Sequence, residues 1–268
     1  MSIYEEQIAN MRWSYSRLCA FEQCRYAFYL RYIINDPDLY LDEGNFYAEV
    51  GSFCHSILEK IFNGELSPEE ASEYYYQYFD ENVLYTVKPS IMEKTYETCA
   101  NYFADFNLDW LKGYKVIGAE KKVETTINGH DFLGFIDLLI EDEKTGDLII
   151  VDHKSAAYPF KKDGKSVLKK SERTFNSYKK QMYLYAYAVY QEYGKYPTEI
   201  WWNHFKDNKI AKIKFDMNDY EEAIAWLETT IEEIKKEEEF GETTDFFYCS
   251  NICEYRNCCE YREFGGDE

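Results

Sequence analysis

Proline is scarce, with five residues in 268, and neither a Gly/Ser/Pro-rich linker nor an internal repeat divides the chain. One folded unit is the simpler reading; at roughly 100–200 residues per domain the length allows one large domain or at most two small ones. No run of 18 apolar residues occurs, which excludes a membrane-spanning helix. The opening stretch MSIYEEQIANMRW is acidic and has no apolar core, so no signal peptide is predicted and a reducing cytoplasm is expected. A Gly-x₄-Gly-Lys-Ser/Thr loop is also missing, so any ATP-driven step must come from another chain.

What is present is an acidic, aromatic-rich chain. Hydrophobic residues make up 46% and aromatic residues 19%, ample material for a core and too much for a disordered chain. The net charge of −20 argues against nucleic acid coating the whole surface, though not against a local basic groove. Eight cysteines occur, and four of them (Cys249, Cys253, Cys258 and Cys259) fall within eleven residues. In a reducing compartment such density points to a metal centre rather than to disulfides. Cys19, Cys54 and Cys99 read as ordinary buried thiols.

Apolar residues recur at helical spacing from Ser14 to about Ile34 and again from Gly51 to Phe62. Pro68-Glu69-Glu70 opens a third helix, because proline and carboxylates favour helix N-termini. Residues 91–112 continue the helical pattern. At about Lys115 the pattern turns to strands: 116–127, then Asn128-Gly129 as a hairpin turn, 131–140, a second turn at 143–146, and the apolar run Leu148–Val151, covered on both faces. A helix over 172–192, strands near 198–206 and 209–215, and an acidic helix over 218–239 complete the order. The element order fits an α/β or α+β sandwich with the meander central, and α/β is the expectation taken. Its parts are a helical region (1–113), a core (114–215), an acidic helix (216–244) and a cysteine-rich tail (245–268).

Asp137 and Asp152 are mirror-placed about the second turn. They should face each other across the ladder, Cβ atoms about 4.5–5.5 Å apart, unless a bulge at Gly146 shifts the pairing. Lys154, two residues after Asp152, projects from the same strand face. Two acids and a lysine then meet at the sheet's edge. Carboxylates this close repel unless a cation separates them, and Mg²⁺ or Mn²⁺ favours such oxygen ligands.

These residues lie in Gly134-Phe135-Ile136-Asp137 and Ile150-Val151-Asp152-His153-Lys154. Upstream stands Gly51-Ser52-Phe53-Cys54-His55-Ser56-Ile57-Leu58-Glu59, downstream Gln181-Met182-Tyr183-Leu184-Tyr185, and the chain opens with Ser14-Tyr15-Ser16-Arg17-Leu18 and Phe21-Glu22-Gln23-Cys24. In this order they resemble the RecB-like branch of the PD-(D/E)XK nuclease superfamily, with CRISPR-associated and AddAB-type exonucleases among its members. The likeness spans about residues 14–259.

The resemblance implies a restriction-endonuclease-like core and phosphodiester hydrolysis. It implies His55, Asp137, Asp152 and the His153 carbonyl as metal ligands, Lys154 as the catalytic lysine, and Gln181 and Tyr185 as the Gln-x-x-x-Tyr pair beside the site. Glu59 is expected on the helix surface or behind the ligands, and the role of Glu120 is open. Ile136 stands where the superfamily's name has proline, a common substitution in this branch. A [4Fe–4S] cluster on Cys24, Cys249, Cys253 and Cys259 is implied too, with Cys258 as a substitute for Cys259 and a Cys₄ zinc site as the alternative.

The substrate so implied is DNA, single-stranded or end-resected, cut as an exonuclease does in recombination, repair or phage DNA processing, with a helicase or recombination partner. The competing readings are a non-catalytic DNA-binding scaffold and a zinc-stapled RNA-processing protein. Residues 161–180 carry eight basic groups against two acids and are expected to track a phosphate backbone. Residues 216–245 carry twelve acids and read as a solvated face. Some of the 27 tyrosines offer base-stacking partners.

Overall fold

The computed structural model describes residues 4–36 and 45–261. After a short α1 (Glu5–Ala9), the Ser14 side chain accepts from the Arg17 amide and starts α2 (Tyr15–Gln23). The single helix expected over 14–34 breaks at Cys24. There the backbone is extended, and the thiol caps α3 (Arg25–Phe28) by accepting from the Ala27 amide. A π-helical turn, Tyr29–Ile34, follows and stops at Asn35 in the left-handed region. The break was invisible to periodicity because both pieces bury their apolar faces together, Phe21 meeting Phe28 edge-on at 5.4 Å.

Asn45 accepts from the Tyr47 and Ala48 amides and so opens α4 (Phe46–Phe62) five residues before the expected Gly51. A Ser67/Glu70 capping box leads into α5 (Ala71–Asn82). Next comes α6 (Pro89–Ala104), shorter than expected, and a 3₁₀ turn at Asp109–Leu111. These three helices pack around Phe53, Tyr75, Phe79 and Phe103, forming a lobe of their own.

Asn128 and Gly129 both take positive φ, 48° and 86°, as the tight hairpin between β1 (Tyr114–Ile127) and β2 (His130–Asp142) requires. The Asp142 carboxylate accepts from the Lys144 and Thr145 amides, fixing the turn into β3 (Leu148–Lys154). A crossover through α7 (Glu172–Tyr193), ended by Gly194 at φ 71°, sets β4 (Glu199–His204) parallel to β3. Strand β5 (Lys209–Lys214) returns antiparallel, and α8 (Met217–Lys236) and α9 (Phe246–Asn251) finish the chain.

Sheet order is β1-β2-β3-β4-β5. The meander is therefore one flank rather than the centre, and β3 is the middle strand, buried as far as His153. The parallel crossover places β4 beyond it, which the chain order of strands alone does not decide. Ile136, Ile150, Met182, Leu184, Trp202 and Leu227 join one sheet face to α7 and α8. Leu138, Ile140, Val151 and Trp201 form the other. The result is a mixed α/β sandwich with a helical N-terminal region. Among the described residues no helix is long and apolar enough to cross a membrane.

Candidate active site

The site forms where one internal ladder opens. Pairing of β2 with β3 ends at Leu138 opposite Val151, while β3 stays paired with β4 as far as Lys154 opposite His204. Continuing the β2–β3 register places Asp137 against Asp152, so Gly146 introduces no shift. At that point the Asp137 carboxylate takes the place of a backbone acceptor: its Oδ2 accepts from the His153 amide at 2.6 Å. The acids thus lie where an internal ladder of the sheet opens at its end.

Asp152 is 2% exposed. Lys154 Nζ lies 2.7 Å from its Oδ2, a close ion pair. The lysine also donates to Gln181 Oε1 at 3.2 Å, and Gln181 Nε2 donates to the Tyr185 hydroxyl at 3.2 Å. Residues 181 and 185 share one face of α7, one turn apart. Burial works against the Lys154 ammonium, but Asp152 and Asp137 outweigh it and raise the lysine's pKa. Asp137 is pushed up to about 7, first by burial and then by the charge of Asp152, despite His55 and Lys154.

From the helical lobe, α4 brings His55 over the sheet, its Nδ1 3.5 Å from Asp137 Oδ2 and 3.9 Å from Glu120 Oε1. Burial disfavours the imidazolium, yet Glu120 and Asp137 raise its pKa overall. Glu120 is the residue that sequence reasoning left unassigned. Ala119 pairs with Leu138 and Lys121 with Ile136, so Glu120 lies opposite Asp137, but it sits in the left-handed region at φ 45°. A non-glycine residue there is strained, and such strain collects at functional sites. A period-two strand pattern cannot show this; the one sequence signal was Gly118, at a register shift beginning at Val116.

Ligand atoms of His55, Glu120 and Asp137 all lie within 4.8 Å of one another. His55 and Glu120 border a cleft of about 390 Å³ also lined by Gly51, Ser52 and Glu59. Two carboxylates and an imidazole, with the nearly buried Asp152 beside them, suit a hard divalent cation. A cation would also relieve the repulsion that pushes Asp137 up. The His153 ring stacks on Phe62 at 5.6 Å, meets the His55 ring edge-on at 5.7 Å, and has its Nδ1 3.1 Å from Asn203 Nδ2. Its backbone amide is what meets the acid pair.

Gly134 owes its identity to Tyr185. A Cβ there would come within 2.4 Å of the tyrosine ring.

The cysteines divide as follows. Cys24 and Cys253 share a buried cluster with Ala27, Leu30 and Tyr255. The Cys253 thiol is pushed up to about 11 by burial, with the neighbouring Cys24 and Cys259 adding to it. Cys249 lies on α9, its Sγ 4.0 Å from the Thr243 carbonyl, and Cys258 is exposed. Cys54 and Cys99 are buried as expected; Cys19 is only partly so.

Of the eight basic groups expected to face DNA, two are engaged elsewhere. Lys179 pairs with Asp219 at 2.6 Å, and Lys180 lies over the Trp226 ring at 4.3 Å. The other six are exposed. Lys170 helps line a hollow of about 280 Å³ with Tyr178, whose ring is 4.7 Å from Lys154 Nζ. The basic segment therefore borders the site.

An acid pair and a lysine on an opened ladder of a mixed five-stranded sheet, with a helix closing over them, define a restriction-endonuclease-like fold. The chain belongs to the PD-(D/E)XK nuclease superfamily, which it matches over residues 12–260. It is also similar to a crystal structure of a Eubacterium rectale protein provisionally named an exonuclease. The TM-score is 0.54 at 16% identity, covering 97% of this chain and 94% of that one; at this identity the likeness speaks for the fold. No curated protein sequence matches the chain.

Proposed function

We propose that the protein is a divalent-metal-dependent deoxyribonuclease of the RecB-like branch, acting as an exonuclease on single-stranded or end-resected DNA. The carrying observation is the convergence of His55, Glu120 and Asp137 beside the Asp152–Lys154 pair. His55, Glu120, Asp137 and Asp152, with the His153 carbonyl, would hold Mg²⁺ or Mn²⁺. When bound, the ion supplies positive charge that stabilises the developing phosphorane-like transition state. Lys154 enters as an ammonium, so it donates to the phosphate oxygens and offsets charge rather than acting as the base. Gln181 and Tyr185 hold it in position from α7. The six exposed basic groups of the 161–173 stretch guide the strand toward Lys154.

A [4Fe–4S] cluster on Cys24, Cys249, Cys253 and Cys259 would join the first helices to the tail. The shared buried cluster of Cys24 and Cys253 supports the set, and Cys259, partly buried where Cys258 is exposed, is preferred to Cys258. A cytoplasmic setting in recombination, repair or phage DNA processing, beside a helicase that supplies unwinding, fits a chain without a phosphate-binding loop of its own.

The test is cleavage of end-labelled single- and double-stranded DNA by anaerobically purified protein with Mg²⁺ or Mn²⁺, against Lys154→Ala and Asp152→Ala. Cleavage is expected in the parent protein alone, with a ladder that gives the polarity. Equal cleavage by either variant would overturn the site assignment. DNA binding without cleavage by any of the three would favour the scaffold reading.

A further inference from the structure

Behind His153, on the face away from the acid pair, lies a second cavity of about 260 Å³. Tyr102, Phe106, Trp110 and Ile210 form its walls, and Asn203 and Asn208 contribute amides. Asn203 is 3% exposed. Its Nδ2 donates to the Tyr102 hydroxyl at 2.7 Å and lies 3.1 Å from His153 Nδ1. Its Oδ1 has no partner among the described residues. Exchanging the amide's oxygen and nitrogen leaves the same count, with one polar group engaged and the other unused. The free oxygen opens onto the cavity, so the unused side of the amide is presented to whatever enters it.

We infer that this cavity is a nucleobase site, in which Trp110 and Phe106 stack on the ring and Asn203 reads its edge. An asparagine amide pairs a donor and an acceptor against a base edge, and aromatic side chains stack on any base. The volume is below the ~300–1,000 Å³ of drug-sized pockets, which suits one ring system rather than a whole nucleotide. No lysine or arginine lines it, and Asp109 at its rim is paired with Lys112 at 2.9 Å, so the phosphate stays outside. The choice of a nucleobase over other planar rings rests on the proposed nuclease reading. The base belongs either to a bound strand or to a free nucleoside.

The experiment is saturation-transfer NMR on the full chain in EDTA, with adenosine, guanosine, cytidine and thymidine in turn. Working without divalent metal separates the outcome from cleavage, so a failed nuclease reading and a failed base site are distinguishable. Saturation is expected on the base protons above the ribose protons for at least one nucleoside. Trp110→Ala and the cavity-filling Ile210→Trp should each weaken it about ten-fold or more, the effect of losing one stacking surface. Thermal melting identifies which variants are folded, and either one alone suffices. Absence of base-selective saturation in the parent protein, or its persistence in a folded variant, overturns the inference. Displacement of the nucleoside by a single-stranded oligomer, but not by its abasic counterpart, assigns the site to a strand base. Retention of the nucleoside beside bound oligomer assigns it to free nucleosides.

Discussion

Replacing Gly134 by alanine should damage the protein through one identifiable contact. The added methyl carbon would sit 2.4 Å from Tyr185 Cε1 and 3.1 Å from Cδ1 and Cζ. Tyr185 is 6% exposed, and its hydroxyl accepts from Gln181, which in turn holds Lys154. The ring cannot swing into solvent, so the strain must go into α7 or into β2. Overpacking of this kind costs about 1–3 kcal/mol, or a drop in Tm of about 2–5 °C for a chain of this size. Cleavage should fall as well, because the displaced ring shifts Gln181 against Lys154.

A double-mutant cycle with Tyr185→Ala isolates the cause. In that background the alanine at 134 meets no ring, and its cost should fall to zero or reverse, a coupling of about 1–3 kcal/mol. The assays are thermal or urea unfolding of the four proteins. If Gly134→Ala costs the same in both backgrounds, or less than about 0.5 kcal/mol in the parent, the glycine is not there for the tyrosine and the reasoning fails.

Two further outcomes follow from the site and the tail. Glu120→Gly removes a carboxylate from the metal set and also relieves a left-handed residue; in EDTA it should leave stability unchanged or raise it by up to about 1 kcal/mol, while Mg²⁺ titration shows weaker binding. A lower melting temperature in EDTA would mean that the kink is not strained. Cys24→Ser should give a colourless, iron-free and less stable protein after anaerobic purification, and unchanged iron and sulfide content would remove Cys24 from the ligand set.

The acid pair was legible because register is set locally. A short turn joins two strands, and residue numbers then say which side chains face each other. Lys154 followed from strand alternation alone. Glu120 escaped because its direction depends on a backbone kink that no residue type announces. Cys24 escaped as a break point because the apolar period runs through it unchanged. The order of β3 and β4 was hidden for a related reason: pairing across a long helical connection depends on packing far from either strand. The half-used amide of Asn203 belongs to the same class, since it becomes visible only once α6 and β4 are brought together.

Asp137 serves the architecture as well as the chemistry. Its carboxylate completes the hydrogen-bond inventory of β3 where the neighbouring strand departs, and losing that acceptor would leave the nearly buried His153 amide unmet at about 1–3 kcal/mol. An acceptor at position 137 is therefore required whether or not the molecule cuts anything. Asp137 cannot give way to an apolar residue without that cost, just as Lys154 cannot be lost without stranding the nearly buried Asp152 beside it.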